Sequence, residues 1–335
     1  MRLLLLVLLS LPFAARALAA DPPAEQPVLL APVVVSGLQP GPGMWRVHHG
    51  EHVLHVLATV RPLPRDIEWD AHEVEAVIAQ AQEVLGAPTV KLRSDRGRLR
   101  SMLLLPALLR ARRDPDGRSL EAQVPPEDYA RWTVLKARYI GRDRAVERRR
   151  PLLAAQALYE AAIEDVGLSQ RSVVRPVVRR AARRHDVPRT EVAVELEIAN
   201  LKEAVRGLAA ARLDDLDCFR STLARIETDL DAMRRRANAW AVGDIGALRT
   251  LAEEEQLDAC LAAVTESAIA ERLGATDLRG RMRSAWIAEA ERALAANPVT
   301  FASMPAYELL AEDGPLATLA ARGYRVEAPG AAGTD

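Results

Sequence analysis

Histidine is unusually frequent in one short stretch near the start of the chain, and imidazole is a common metal ligand and general base. The stretch holds four of the six histidines, His48, His49, His52 and His55. They lie on either side of Gly50. His52 and His55 are an odd number of residues apart, so on a strand their side chains point to opposite faces. This placement favours surface histidines on a hairpin over a metal site.

The segment that carries these histidines, Met44 to Pro64, has the pattern of a β-hairpin. Gly50 supplies the positive φ that a tight turn requires. After the turn, one face of the second strand carries Leu54, Val56, Ala58 and Val60, and the other carries Val53, His55, Leu57 and Thr59. A strand covered on both faces lies inside a sheet. We therefore expect this strand to be central.

The N-terminus has the features of a secretory signal. Met1-Arg2 is a short positive region, Leu3 to Leu11 is an apolar core, and Ala17-Leu18-Ala19 fits the small-x-small cleavage rule. The apolar run is too short to span a membrane, and no later stretch reaches that length. We expect cleavage after about Ala19 and a periplasmic or secreted protein without a transmembrane segment.

The chain contains two cysteines, Cys218 and Cys260. With no histidine near them they make a poor zinc site. In an exported protein such a pair is more often a disulfide than two free thiols. We predict a bridge that ties two helices together.

The overall charge gives no argument for nucleic acid as a partner. The net charge is −1, with 27% charged and 49% hydrophobic residues, which is an ordinary globular balance. The arginine-rich segment Arg175–Arg189 favours a solvated helix face. The alternative is a face that contacts lipopolysaccharide or an acidic partner.

Composition divides the chain into four segments. After the signal peptide at 1–19, residues 20–43 form a lead segment rich in proline and glycine. One domain follows at 44–327, with a helix-rich insert at about 110–296. Residues 328–335 form a tail.

Apolar spacing and breaker residues place the elements within this domain. Strands are predicted at 89–92, 190–196, 299–303 and 324–326. Helices are predicted at 70–85, 101–109, 213–241, after 276, and at 305–321 with a break at 314–315. The helix at 213–241 carries a heptad-like apolar seam. The seam favours packing on the helix's own domain, and the alternative is a homodimer.

Three segments of the chain resemble one known family. They are the hairpin, which ends in Ala58-Thr59-Val60-Arg61, the step from Ala239-Trp240 to Gly243-Asp244, and the ending from Glu312-Asp313-Gly314 to Tyr324 and Val326. Together they resemble the TraB/GumN family, which includes the Tiki metalloproteases. The resemblance implies a mixed α+β fold. Its central mixed sheet begins with the N-terminal hairpin, and a large helix-rich middle covers it.

In that family, two Gly-x-x-His motifs and nearby acidic residues are associated with divalent metal binding and peptide hydrolysis. Here the first histidine is replaced by Arg61 and the second by Glu308, and the acidic position falls near Pro88. An arginine does not ligate a cation. We therefore predict no catalytic residue, no metal ligand and no cofactor. A divalent metal is expected only if the altered site still binds one.

The two motif positions define a candidate pocket of Thr59, Arg61, Tyr307 and Glu308. In one hypothesis Arg61 and Glu308 form a structural ion pair where the metal would have been. In the other, Arg61 holds an anionic group of a ligand. The resemblance favours a catalytically degenerate protein that binds or scaffolds an unidentified envelope protein or ligand. The alternatives are a metal-dependent peptidase with non-standard ligands and a structural helical dimer.

Overall fold

The computed structural model of the protein describes residues 37–94, 105–198, 200–210, 215–250, 260 and 276–330. The predicted signal peptide, most of the lead segment, and the tail from residue 331 lie outside these ranges. Residues 101–104 of the predicted helix at 101–109 lie outside them as well.

The strands are short, and half of them join a single sheet, while the others form two-stranded pairs. In chain order they are β1 (Leu38–Gln39), β2 (Met44–His49), β3 (His52–Thr59), β4 (Leu63–Pro64), β5 (Glu68–Trp69), β6 (Glu83–Leu85), β7 (Thr89–Ser94), β8 (Leu168–Ser169), β9 (Arg189–Thr190), β10 (Ala193–Ile198), β11 (Val299–Pro305) and β12 (Arg325–Glu327).

Helices make up most of the remaining described structure. They are α1 (His72–Gln80), α2 (Leu105–Ala111), α3 (Pro126–Tyr139), α4 (Pro151–Asp165), α5 (Val174–Arg184), α6 (Leu201–Ala210), α7 (Leu216–Thr228), α8 (Leu230–Val242), α9 (Ile245–Thr250), α10 (Leu278–Ala296), α11 (Ala306–Leu309) and α12 (Pro315–Ala321).

The main sheet has six strands in the order β12-β2-β3-β11-β6-β9. β2 and β3 form the predicted hairpin, with Gly50 at φ +58° in its turn. β3, β11, β6 and β9 run parallel to one another, and β12 closes the other edge antiparallel to β2. Leu54, Val56 and Ala58 of β3 are fully buried. The predicted α+β class and the central position of this strand are confirmed.

The helix predicted at 70–85 is wrong in its last five residues. α1 ends at Gln80, and Ala81 already has an extended ψ of 143°. Glu83–Leu85 instead form β6, which pairs with β11 on one side and β9 on the other. The position of Val84 fits both a helical and a strand periodicity. The segment forms a strand because its backbone pairs with the neighbouring strands β11 and β9.

The single helix predicted at 213–241 is two helices, α7 and α8, that meet at Asp229. Asp229 has φ −111° and ψ 1°, outside the helical range. Its backbone nevertheless keeps bonds to both sides, since its N–H donates to Arg225 and its carbonyl accepts from Met233. The seam therefore continues across the break. Most of its side chains are buried within this chain, namely Phe219, Leu223, Ile226, Met233, Ala237 and Trp240.

A homodimer through these helices would need an exposed apolar seam. Most of the seam side chains are instead buried against their own domain. Gly243 ends α8 in the left-handed conformation, φ +76°, as the sequence predicts. Within the described ranges no helix is both long and apolar enough to cross a membrane.

Candidate functional site

Three positions that the sequence singles out meet at one edge of the sheet. Arg61 follows β3, Tyr307 follows β11, and Pro88 follows β6, three neighbouring parallel strands. The carboxyl ends of parallel strands are the usual ligand site in open sheets with helices on their faces. Here they open onto two adjoining cavities.

The end of β3 is held in place by contacts from distant parts of the chain. The Trp240 indole N–H donates to the carbonyl oxygen of Ala58 at 2.9 Å, and the Thr59 hydroxyl donates to the carbonyl of Met304 at 3.2 Å. The Trp69 ring meets the Trp240 ring edge-on at 5.6 Å. These contacts fix the backbone just before Arg61.

The first cavity, about 500 Å³ in volume, is lined by four arginines, and we call it the arginine cavity. They are Arg61, Arg175, Arg179 and Arg189. Arg175 and Arg179 are four residues apart on α5, so they share one face of that helix. α5 is fixed to the domain by its packing against α1.

The second cavity, about 510 Å³ in volume, also has four arginines in its wall but differs by having two tyrosines, and we call it the tyrosine cavity. It is lined by Tyr159 and Tyr307, together with Leu248, Gln156 and Gln170. Arg225 and Arg236 also reach its wall, and the Arg225 guanidinium lies 5.7 Å from the centre of the Tyr159 ring. Thr59, Arg61, Ala87, Thr89, Arg175 and Pro305 line both cavities.

The charges of the arginine cavity are not balanced by described acidic residues. Within the described ranges, none of its four arginines forms a salt bridge with an aspartate or glutamate. Glu191, the one carboxylate among the described lining residues, is bound by Lys91 at 2.7 Å. Burial, and then the charge of Arg175, lower the pKa of Arg61. Glu191 also interacts with the charge of Arg189, but one carboxylate against four arginines leaves the lining with a net positive charge.

Glu308 does not pair with Arg61, so the ion-pair hypothesis is wrong. Its carboxylate accepts hydrogen bonds from Arg279 Nε at 2.7 Å and from Arg283 Nη2 at 3.0 Å. Both arginines come from α10. Glu308 is next to Tyr307 on α11, and consecutive helical residues point in directions about 100° apart. Tyr307 consequently lines the tyrosine cavity, with the Arg279 guanidinium 6.0 Å from the centre of its ring, and the Glu308 carboxylate turns to α10.

The positions that match the family's metal motifs do not fit a metal ion. Arg61 offers only donors, and the Glu308 carboxylate is already held by two guanidinium groups. Among the residues that the structure describes, no three His, Cys, Asp or Glu side chains lie close enough to share a metal. We derive no catalytic step through a metal here.

The four hairpin histidines have separate surroundings. His48 Nε2 lies 3.2 Å from a carboxylate oxygen of Glu327, and the His49 ring lies 5.4 Å from the Tyr324 ring. His52 Nδ1 lies 2.7 Å from the carbonyl oxygen of Leu294. Burial, followed by the charge of Arg46, lowers the pKa of His55.

The predicted disulfide between Cys218 and Cys260 is confirmed, with the two Cα atoms 4.5 Å apart. Cys218 lies on α7, and Cys260 also lines the tyrosine cavity. The bridge therefore ties the wall of that cavity to the buried helices.

Sequence reasoning found Thr59, Arg61 and Tyr307, but it missed the arginines of α5. The sequence favours a solvated face for Arg175–Arg189, and its arginines are exposed, those that line the arginine cavity included. Arg180 and Arg183 lie outside both cavities. The signal that distinguishes the inner face is the spacing of Arg175 and Arg179 around the buried Val178.

The family model described as "TraB/PrgY/gumN family" matches residues 43–328, which is most of the chain. Comparison with curated proteins finds no match, and comparison with solved structures finds none either. The matched range contains the hairpin, the step at Trp240 and the closing strand, as well as both altered histidine positions. The chain belongs to the TraB/PrgY/gumN family.

Proposed function

We propose that this protein is an exported, catalytically degenerate member of its family that binds an anionic ligand in the arginine cavity. One observation carries the proposal. Arg61 replaces the first motif histidine and lines a cavity with three further arginines, and none of the four pairs with a described carboxylate. A cavity with this lining is suited to bind an anion. In the family, the corresponding position is associated with a metal.

Two guanidinium groups held close together repel each other, which costs free energy. Arg61 and Arg175 share the wall between the two cavities, and the charge of Arg175 disfavours the charged form of Arg61. A bound anion relieves this repulsion. Guanidinium groups bind phosphate and carboxylate through two parallel hydrogen bonds, which are stronger than bonds between neutral groups.

Two features support export. The N-terminal segment has the order of a secretory signal. The disulfide is typical of proteins that fold in an oxidising compartment. The ligand is then a component of the periplasm or of the extracellular medium, and the protein acts by holding it.

The experiment is a thermal-shift series on the purified mature protein with pyrophosphate, phosphate, sulfate and acetate. A ligand at 100 times its Kd stabilises a protein by about 2.7 kcal/mol, which raises Tm by about 5 °C in a protein of this size. We expect multivalent anions to raise Tm in the wild type and in Arg180→Ala. The shift should be lost in Arg61→Ala.

Arg180 is the matched control because it lies on α5 but lines neither cavity. Equal shifts in Arg61→Ala and Arg180→Ala would refute the proposal. So would near-stoichiometric retention of manganese, cobalt or zinc after dialysis that disappears in Glu308→Ala. That result would restore the metal-dependent peptidase.

A further inference from the structure

We propose that the ligand is a small molecule in which a diphosphate group is joined to an uncharged ring system. The diphosphate would occupy the arginine cavity, and the ring system would occupy the tyrosine cavity. This inference rests on the proposed anion-binding function and adds the chemical class of the ligand.

The charge of the arginine cavity favours more than one negative charge on the ligand. Its four guanidinium groups come from three separate places: Arg61 after β3, Arg175 and Arg179 on α5, and Arg189 in β9. Arg175 and Arg179 are about 6 Å apart along the axis of α5, at 1.5 Å per residue. A single carboxylate cannot bind donors spread so widely, whereas two linked phosphoryl groups present oxygens on several sides.

One hydroxyl group in the same wall fits this chemistry. Ser172 lines the arginine cavity beside the guanidinium groups, and its oxygen accepts from the Arg175 backbone N–H, which leaves its proton to donate. The hydroxyls of Thr89 and Thr190 already donate to the Val192 carbonyl and to Glu83. A hydroxyl donates to a phosphate oxygen without adding charge. The lining thus combines cationic and neutral donors, as a phosphate site requires.

The tyrosine cavity argues that the ligand extends beyond its charged group. It adjoins the arginine cavity through Arg61 and Arg175, and its volume of about 510 Å³ lies within the range of small-molecule sites. Tyr307 is half-buried in its wall, Leu248 lines it as an apolar side chain, and Gln156 and Gln170 offer amide groups. The uncharged ring system of the ligand would stack on the tyrosine rings and form hydrogen bonds with the glutamine amides.

The order of the two cavities sets the orientation of the ligand. Arg179 and Arg189 line only the arginine cavity and are exposed. Tyr159 and Tyr307 line only the tyrosine cavity. The two arginines found only there are held inside the protein, since Arg225 hydrogen-bonds to the Tyr159 side chain and Arg236 is buried. The phosphates therefore lie towards α5 and β9, and the ring system lies towards α4 and α11. Arg61 would contact the junction between them.

The test is calorimetric titration of the full mature protein, without divalent cations, with pyrophosphate, ADP and UDP-glucose. Pyrophosphate carries at least as much charge as the other two, so tighter binding of either must come from the ring system. Stacking of one ring on an aromatic side chain is worth about tenfold in Kd or more. We expect ADP or UDP-glucose to bind about tenfold more tightly than pyrophosphate.

Two variants of Tyr307 complete the test. Tyr307→Ala should remove the tenfold advantage and leave pyrophosphate binding unchanged, and Tyr307→Phe should retain the advantage because the ring remains. Equal affinity for all three compounds in the wild type would overturn the inference and leave the anion-binding function intact. If none of them bound, the anion-binding function would fail as well. An advantage that survives in Tyr307→Ala would also overturn the assigned orientation.

Discussion

The indole nitrogen of Trp240 donates a 2.9 Å hydrogen bond to the carbonyl oxygen of Ala58, 182 residues earlier in the chain. The contact joins two of the segments that carry the family resemblance, the step at Trp240 and the end of the hairpin. Arg61 follows three residues after Ala58. A buried bond on the second segment therefore helps to position Arg61.

Trp240→Phe should destabilise the fold, because it leaves a buried carbonyl without this donor. Trp132→Phe is the matched control: Trp132 is equally buried, but its indole nitrogen has no hydrogen-bond partner among the residues that the structure describes. Both variants lose ring volume, and only Trp240→Phe also loses a hydrogen bond. We expect it to cost about 1 kcal/mol more in urea unfolding. Equal losses would show that the bond contributes nothing.

Glu308→Ala should be destabilising and Arg61→Ala should not. The Glu308 carboxylate is 12% exposed and accepts charged hydrogen bonds from Arg279 and Arg283. Its removal should cost about 2 kcal/mol. Asp313→Ala is the control, because that 81% exposed carboxylate also binds Arg283, and we expect less than about 1 kcal/mol from it.

The Arg61 side chain is partly exposed and forms no ion pair within the described ranges. Arg61→Ala should therefore change the unfolding free energy by less than about 0.5 kcal/mol. A large loss in Arg61→Ala, with none in Glu308→Ala, would reverse the assignment of structural and ligand-binding roles.

Glu83 gives the fold a predictable dependence on pH. Burial alone would raise its pKa, but hydrogen bonds from Arg292, at 2.6 Å, from Thr190 and from Asn297 outweigh burial and lower the pKa below 4.5. A carboxyl whose pKa is lower in the folded state stabilises that state above its ordinary pKa. The contribution is lost as the pH falls through the folded-state pKa.

Glu83→Gln should therefore lower the unfolding free energy by about 2 kcal/mol at pH 7. The difference from the wild type should shrink as the pH falls below 4.5, measured by urea unfolding at a series of pH values. Glu289→Gln is the control, because Glu289 binds the same Arg292 on the surface. A difference that stays constant down to pH 3 would exclude this role for Glu83.

The sequence predicts those parts of the fold in which a local pattern has only one interpretation. The hairpin follows from alternation with period two and from Gly50. Val84 and Asp229 are different, because their patterns fit two structures. The spacing of three and four residues runs unbroken through Asp229, so nothing local marks the break between α7 and α8. Tertiary hydrogen bonding decides both cases.

The candidate site is half visible in the sequence. Arg61 and Tyr307 follow from the positions of the motifs. Arg175 and Arg179 could not be assigned to it, since α5 has arginines on several faces and only its packing against α1 determines which face meets the sheet. The sequence also does not predict that Glu308 pairs with α10. Arg279 and Arg283 lie on a separate helix, and only tertiary packing brings them to Glu308.

The disulfide should contribute to stability in proportion to the loop that it closes. Cys218 and Cys260 are 42 residues apart, and closing a loop of this length in the unfolded chain is worth about 4 kcal/mol. Cys218→Ser and Cys260→Ser should each lose this amount in urea unfolding, and reductant should have no further effect on either. Intact mass after alkylation of the unreduced protein should show no labelled thiol, and two labelled thiols would contradict the bridge.

The central claim is that the chain binds an anion where its family is associated with a metal, and pyrophosphate titration of charge-reversed variants tests it most directly. Calorimetry should show saturable binding at one site in the wild type and in Arg180→Glu. Arg61→Glu should abolish that binding, because it places a negative charge at the shared wall of the two cavities. Unchanged binding in Arg61→Glu, or no binding in the wild type at millimolar pyrophosphate, would contradict the claim.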